Sequence, residues 1–200
     1  MSAELKPITK AEYEWKKGLS HIRSKEFHHS RGYVREVLST IWDVKALEIP
    51  LTSPPGKPPQ LAKRMGYLSF SHCKDGLFIG WSDKKIGVDI ERADRSFEAK
   101  KILNKVFSKK EQKIFKNIKS KNYHEFFLSH WVRKESAIKW QKGSIMKDIS
   151  NWFYDVDRKM MINKEINIEI HNIFIRYKCW DMSVSCEVNP EKTKPIICLY

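Results

Sequence analysis

The spacing of apolar residues changes along the chain from helical to alternating and back, and these changes divide it into blocks. Apolar residues at intervals of three and four predict a helix from Phe27 to Trp42. The proline-rich residues 50–59 follow and predict a loop. Residues 67–91 then alternate as three short strands with tight turns between them. We therefore expect a small antiparallel meander in the middle of the chain.

Helical patterns return after this meander. Phe97 to Val106, Lys109 to Ile118 and Tyr123 to Trp140 are predicted helices, and Ser108 with Glu111 forms a capping box before the second. Short alternating runs predict strands over residues 152–156, 166–170, 174–180, 182–188 and 196–199. The order of helix, strands, helices and strands predicts an α+β protein with two similar halves, 1–86 and 87–200.

Charge changes this picture more than any other bulk property. The 200 residues contain 38 Lys and Arg against 24 Asp and Glu, a formal net charge of +14. Such an excess favours a polyanionic partner: a nucleic acid, a nucleotide-like cofactor, an acidic protein or an anionic membrane surface. A basic surface that is merely solvated explains the same numbers, so charge leaves both interpretations open.

The location of the protein follows from what the sequence lacks. The apolar runs are too short to span a bilayer, and the first residues have no secretory signal pattern. The four cysteines form no CxxC or CxxH pair, which indicates free thiols in a reducing compartment: Cys73, Cys179, Cys186 and Cys198. We expect a cytoplasmic protein with no membrane partner.

Two carboxylates alternate on the third predicted strand. Asp89 and Glu91 share one face because side chains two apart in a strand point the same way. Adjacent acids repel each other unless a cation lies between them, and carboxylate oxygens suit Mg²⁺ or Mn²⁺. The other interpretation is an exposed strand with two solvated acids.

The long predicted helix supplies a further acid. Trp131, Glu135 and Lys139 are spaced four apart and form one stripe. Glu135 could be a third metal ligand, with Lys139 one turn away to bind phosphate. Considered alone, the pattern favours an ordinary Glu–Lys surface pair.

Two short motifs carry groups that bind phosphate. Ser71 and His72 close a predicted strand, and either side chain can donate a hydrogen bond to phosphate oxygen, although the same pair often only caps a strand. The chain contains no GxSxG elbow, which argues against Ser71 as a nucleophile. Lys57 lies in the stiff proline-rich loop, where fixing the position of a cation costs little conformational entropy.

These elements together, in this order, resemble the larger monomeric 4′-phosphopantetheinyl transferases of the surfactin-synthetase-activating type. The resemblance runs from about Phe27 to Lys139, and its most specific parts are Gly-Val-Asp-Ile-Glu91 and Trp131-Val-Arg-Lys-Glu-Ser. The further matching elements are Gly56-Lys-Pro, Phe70-Ser-His and Phe107-Ser-Lys-Lys-Glu111. The sequence departs from the family at its N-terminus, where only about two dozen polar residues precede Phe27 and an extra strand is expected.

The resemblance implies a reaction and a set of residue roles. Phosphopantetheine of coenzyme A would pass to a serine of an acidic acyl or peptidyl carrier protein with Mg²⁺, releasing adenosine 3′,5′-bisphosphate. The implied metal ligands are Asp89, Glu91 and Glu135, and Lys139 would contact the pyrophosphate. The implied contacts of the adenosine end are Arg31, Lys57, Ser71 and His72. Glu111 would be the general base, helped or replaced by Glu135.

The resemblance also implies a monomer whose two halves are related by pseudo-two-fold symmetry. Each half would be a small, mostly antiparallel sheet packed on helices, with the active site between them. The alternatives from the residues alone are a basic nucleic-acid-binding module and a metal-dependent phosphodiesterase. The scattered distribution of the basic residues argues against the nucleic-acid module.

Overall fold

The protein is described from a computed structural model that covers residues 4–96 and 99–189. The chain divides into two compact units, Met1–Gly66 and Tyr67–Tyr200. Each unit has its own helices and strands, and all strand pairs in both are antiparallel. The fold is therefore α+β. The expectation of two similar halves that meet between residues 86 and 87 stays a prediction.

The first unit is mainly helical. Its elements are α1 (Lys10–Lys17), α2 (His21–Trp42), a 3₁₀ turn (Ala46–Glu48), β1 (Leu51–Thr52) and β2 (Gln60–Leu61). Helix α2 confirms the helix predicted over Phe27 to Trp42 and begins six residues earlier. Helix α1 was not predicted, although Thr9 and Glu12 form a capping box at its start.

A buried ion pair holds the first unit together. Arg35 and Glu12 each expose only 1% of their side chains, and Arg35 Nε lies 2.9 Å from Glu12 Oε2. The same guanidinium donates to the carbonyl oxygens of Ile49 and Leu51. Because a buried charge is tolerated only when it is paired and hydrogen-bonded, this contact ties α1 and the chain at the start of β1 to α2.

The second unit contains most of the strands. Its elements in chain order are β3 (Tyr67–Cys73), β4 (Gly76–Ser82), β5 (Ile86–Arg92), α3 (Ala99–Val106), α4 (Lys109–Lys116), α5 (Ser120–Gln141), α6 (Ile145–Asp148), β6 (Trp152–Asp155), β7 (Met160–Asn163), β8 (Ile168–Tyr177) and β9 (Trp180–Cys186). Five strands form one antiparallel sheet in the order β5-β9-β8-β7-β6, and β3 and β4 form a separate hairpin.

The predicted three-stranded meander is wrong in its pairing. The three strands exist, but β5 pairs with β9 from Ile86 opposite Cys186 to Arg92 opposite Trp180, and not with β4. Toward the β3–β4 hairpin, β5 is hydrogen-bonded through a side chain of β3: the amide of Val88 donates to Oγ of Ser69 at 3.0 Å. Pairing with a strand about ninety residues later is a long-range event that local alternation does not reveal.

The later strands follow the predicted pattern with two differences. Residues 166–170 and 174–180 were predicted as two strands, but β8 is continuous from Ile168 to Tyr177. Strand β7 was not predicted. The expected strand at 196–199 and the first two residues of the helix expected from Phe97 lie outside the described residues.

The core of the second unit lies where α5 packs on the sheet. Phe107, Phe115, Phe127 and Trp152 are almost fully buried there, together with Met161. The cysteines of the described chain, Cys73, Cys179 and Cys186, are free thiols as predicted, and Cys198 lies outside that part. In the ranges that the structure covers, each helix is too short or too polar to cross a bilayer.

Candidate active site

The acids predicted on β5 and α5 lie on two elements of the second unit that pack against each other, and Glu135 interacts electrostatically with Asp89 and Glu91. Asp89 lies on the face of β5 that meets α5, and Glu91 follows on the same face by strand alternation. Glu135 and Lys139 lie one turn apart on α5. We call Asp89, Glu91 and Glu135 the carboxylate cluster.

Asp89 is the most enclosed member of the cluster, with 1% of its surface exposed. Its Oδ1 accepts a hydrogen bond from Ser71 Oγ at 2.7 Å and another from Lys139 Nζ at 2.7 Å. Lys139 also donates to Ser71 Oγ at 2.6 Å, so the three groups form a closed triangle. Oδ2 is buried and has no hydrogen-bond partner in the described chain.

Glu91 is paired with a cation that the sequence analysis missed. Arg95 donates a charge-assisted hydrogen bond to Oε1 of Glu91. Burial raises the pKa of Glu91, and the Arg95 charge acts against that rise. Arg95 lies four residues after Glu91 but beyond the end of β5, where no regular spacing could have indicated the contact.

Glu135 is the most perturbed acid of the cluster. Burial raises its pKa to about 8, and the negative charge of Asp89 adds to that effect. Lys139 lowers the pKa, and Glu91 raises it further. Burial is the main cause of this raised pKa and the two neighbouring carboxylates add to it, so a cation bound beside them would stabilise the ionised form of Glu135.

The carboxylate cluster has the type of ligand atom that a hard divalent cation prefers, but its side chains are not already arranged around a metal position. Throughout residues 4–96 and 99–189, no three His, Cys, Asp or Glu side chains are grouped closely enough to hold a metal ion. Lys139 and Arg95 now contact two of the acids. The donor set is nevertheless carboxylate oxygen, which Mg²⁺ and Mn²⁺ prefer, and the unpartnered Oδ2 of Asp89 is an open ligand position.

Glu111, the predicted general base, caps the start of α4 and forms a buried ion pair with Lys134. Its Oε2 accepts from the amide and hydroxyl of Ser108 in the predicted capping box. The same oxygen accepts from Lys134 Nζ at 3.0 Å, and both side chains are buried. Lys134 also donates to the carbonyl oxygens of Val106, Ile149 and Trp152. No pattern in the sequence singles out Lys134, because a Lys beside a motif acid is usually solvated.

The predicted coenzyme contacts are distributed over both units. Ser71 is buried against Asp89, whereas His72, the next residue of β3, is exposed on the opposite face. Arg31 and Lys57 belong to the first unit. Arg31 is buried, donates to the carbonyl oxygen of Ser53 and stacks over the Phe27 ring, and Lys57 is exposed in the proline-rich loop. Their roles toward coenzyme A stay predictions.

Comparison with protein families identifies the chain. A family model described as the 4′-phosphopantetheinyl transferase superfamily matches residues 85–187, which span β5 to the end of β9 and include the carboxylate cluster. The chain belongs to this superfamily. Comparison with curated proteins gave no match. Superfamily membership makes the chain a transferase of phosphopantetheine, and it agrees with the resemblance drawn from the sequence motifs.

Proposed function

We propose that this protein transfers 4′-phosphopantetheine from coenzyme A to a serine of an apo carrier protein in a Mg²⁺-dependent reaction. The other product would be adenosine 3′,5′-bisphosphate. The observation that carries the proposal is the contact of Lys139 with Asp89, next to a Glu135 whose pKa is raised to about 8. A phosphate-binding cation beside three acids is the arrangement that a metal-assisted phosphoryl transfer needs.

Asp89, Glu91 and Glu135 would hold Mg²⁺, with Mn²⁺ as the other suitable ion. When bound, the ion would neutralise charge on the pyrophosphate of coenzyme A. The Lys139 side chain is 29% exposed and its Nζ is hydrogen-bonded to Asp89 and Ser71, so the ammonium group can turn outward to a pyrophosphate oxygen without crossing the core. Ser71 would then keep its hydrogen bond to Asp89 and fix the orientation of that carboxylate.

The reaction also needs a group that accepts the proton of the attacking serine. The serine oxygen would form a bond to the phosphorus nearer the pantetheine, and the bond from that phosphorus to the adenosine bisphosphate would break. We propose Glu135 as the acceptor, directly or through one water, because its side chain belongs to the carboxylate cluster. Glu111 is the second choice, since three donors already occupy one of its oxygens.

The carrier surface that we propose is α4 with its flanking residues. One apolar side chain, Ile114, is 48% exposed there. The exposed lysines around it in the sequence are Lys105, Lys109, Lys110, Lys113, Lys116 and Lys119. An acidic carrier would be drawn to such a basic surface, which raises the rate of encounter more than the final affinity.

Three finer expectations belong to the same proposal. The chain would be of the larger, surfactin-synthetase-activating type, it would act as a monomer, and it would work in the cytoplasm. The pseudo-two-fold relation of its halves follows from that type. The family match begins at residue 85 and does not distinguish the larger type from other members of the superfamily. The support for the larger type comes from the motifs before residue 85, above all Gly56-Lys-Pro and Phe70-Ser-His.

Product analysis tests the reaction class against its alternatives. We expect adenosine 3′,5′-bisphosphate to be released from coenzyme A only when both an apo carrier and Mg²⁺ are present. Release without a carrier would favour the metal-dependent phosphodiesterase. No release with any carrier, together with salt-dependent binding to DNA, would favour the nucleic-acid-binding module.

A further inference from the structure

The glycine of the Gly-Val-Asp-Ile-Glu motif lies at the closest approach of α5 to β5. A methyl group built on Gly87 would lie 2.0 Å from the carbonyl oxygen of Ser136 and 2.3 Å from the amide nitrogen of Trp140. Both are backbone atoms of a helix and cannot rotate away. Any side chain at this position therefore forces α5 and β5 apart.

The residues in this close contact are direct neighbours of the site residues. Gly87 precedes Asp89 by two and lies on the same face of β5. Glu135 comes immediately before Ser136, and Lys139 comes immediately before Trp140. The distance between the two backbones at Gly87 thus sets how far Glu135 and Lys139 stand from Asp89.

A buried polar network holds α5 in the same place along the sheet. Ser136 Oγ lies 3.0 Å from Ser183 Oγ and 2.8 Å from Ser185 Oγ, both on β9. Asn172 Nδ2 on β8 lies 3.3, 2.9 and 3.0 Å from the hydroxyl oxygens of Ser136, Ser183 and Ser185 and shares its two hydrogens among them. Buried polar groups must keep their partners, so sliding α5 by one residue would leave several of them unsatisfied.

We propose that Gly87 is a positioning residue: its missing side chain lets α5 approach β5 closely enough for Glu135 and Lys139 to share one site with Asp89. The catalytic importance of Gly87 rests on the proposed function. Its effect on the spacing between α5 and β5 does not depend on that function. Displacement of a catalytic group by about 1 Å can cost about 100-fold in rate.

A double-mutant cycle in EDTA tests the spacing without metal or substrate. K139M is introduced into the wild type, into G87A and into G80A, and each free energy of unfolding is measured with urea. Gly80 is the matched control, because a methyl there would meet the side-chain atoms Val88 Cγ1 and Ile86 Cδ1 and no helix backbone. We expect K139M to destabilise the wild type and G80A and to have lost this effect in G87A.

Binding of Mn²⁺, followed by electron paramagnetic resonance, is the second measurement. G87A should weaken Mn²⁺ binding by about 10- to 100-fold, and G80A should leave it unchanged. If G87A does not fold, S136T decides the question by the same two measurements, since it keeps the hydroxyl and adds one methyl at the α5 residue whose carbonyl oxygen faces Gly87. A folded G87A, or in its place a folded S136T, with the coupling and Mn²⁺ affinity of the wild type would overturn the proposal.

The two proposals fail in different ways. If the wild type binds no Mn²⁺ and yet K139M loses its effect only in G87A, the metal site is wrong and the positioning role of Gly87 stands. If the wild type transfers phosphopantetheine and G87A keeps both its kcat and its coupling, the function stands and the positioning role is wrong.

Discussion

Lys139 Nζ lies 2.7 Å from Oδ1 of Asp89, and the two side chains differ sharply in exposure, 29% for the lysine and 2% for the aspartate. The anion is fixed inside the protein, whereas its cation reaches the surface. Because the lysine can leave and the carboxylate cannot, the pair can exchange one positive partner for another. This asymmetry suits the proposed site for a metal ion and an anionic substrate.

Removing the Lys139 charge should destabilise the metal-free protein. In K139M, Asp89 stays buried but, among the residues that the structure describes, keeps only Ser71 as a hydrogen-bond partner, so the free energy of unfolding in EDTA should fall by about 1–3 kcal/mol. Urea unfolding measures this change, and K116M is the control because Lys116 is an exposed residue of α4. Equal stability of K139M and K116M would contradict a paired Asp89.

Glu135 should make the metal-free protein less stable as pH rises. Its pKa is raised from 4.5 to about 8 in the folded state, so between these values the folded chain binds more protons than the unfolded chain. Stability is then full below pH 4.5 and is lost as pH rises through 8. E135Q cannot titrate and should be the more stable protein at pH 8.5, by on the order of a few kcal/mol, with little difference near pH 5.

The comparison is made by urea unfolding at both pH values in EDTA. E165Q is the control because Glu165 is an exposed acid of the same unit. An E135Q protein whose stability changes with pH as steeply as that of the wild type would show that Glu135 titrates normally.

Glu111 should matter more for stability than for catalysis. E111Q leaves the Lys134 ammonium buried without its anion, which should cost about 3–5 kcal/mol of folding free energy. S108A, which removes only the cap, should cost about 1 kcal/mol. At a temperature where E111Q is folded, kcat per folded molecule should stay close to that of the wild type. A kcat reduced by orders of magnitude in folded E111Q would instead make Glu111 the base.

The acids of the site could be predicted because their spacing is local. Asp89 and Glu91 share a face through the period of a strand, and Glu135 and Lys139 share a face through the turn of a helix. Local spacing says nothing about which strands pair. The meander was therefore wrong at β5, whose partner β9 comes about ninety residues later.

The cations around the site were harder to predict than the acids. Arg95 reaches Glu91 from a turn beyond the end of β5, and Lys134 reaches Glu111 across 23 residues. Both contacts depend on how packed elements meet, which no spacing in the sequence encodes. Lys134 is the clearer example of a cation that could not be predicted, since lysine is almost never fully buried unless it is paired.

Charge reversal on α4 should weaken the encounter with an acidic carrier. K109E/K110E replaces two exposed lysines at the start of α4. At low salt it should raise the KM for the carrier about tenfold and leave kcat and the KM for coenzyme A unchanged. The difference should shrink at high salt, because screening removes the attraction. K45E/K63E makes the same charge change in the first unit, and an equal rise of KM there would argue against α4 as the carrier surface.

The most direct test is the intact mass of an apo carrier protein after incubation with this protein, coenzyme A and Mg²⁺. The account predicts a gain of one phosphopantetheine that is lost with EDTA, lost with D89A and retained with D157A, a control at an exposed aspartate. A carrier that is modified as fully by D89A as by the wild type would contradict the assignment of the site. No modification of several apo carriers by the folded wild-type protein would contradict the proposed function itself.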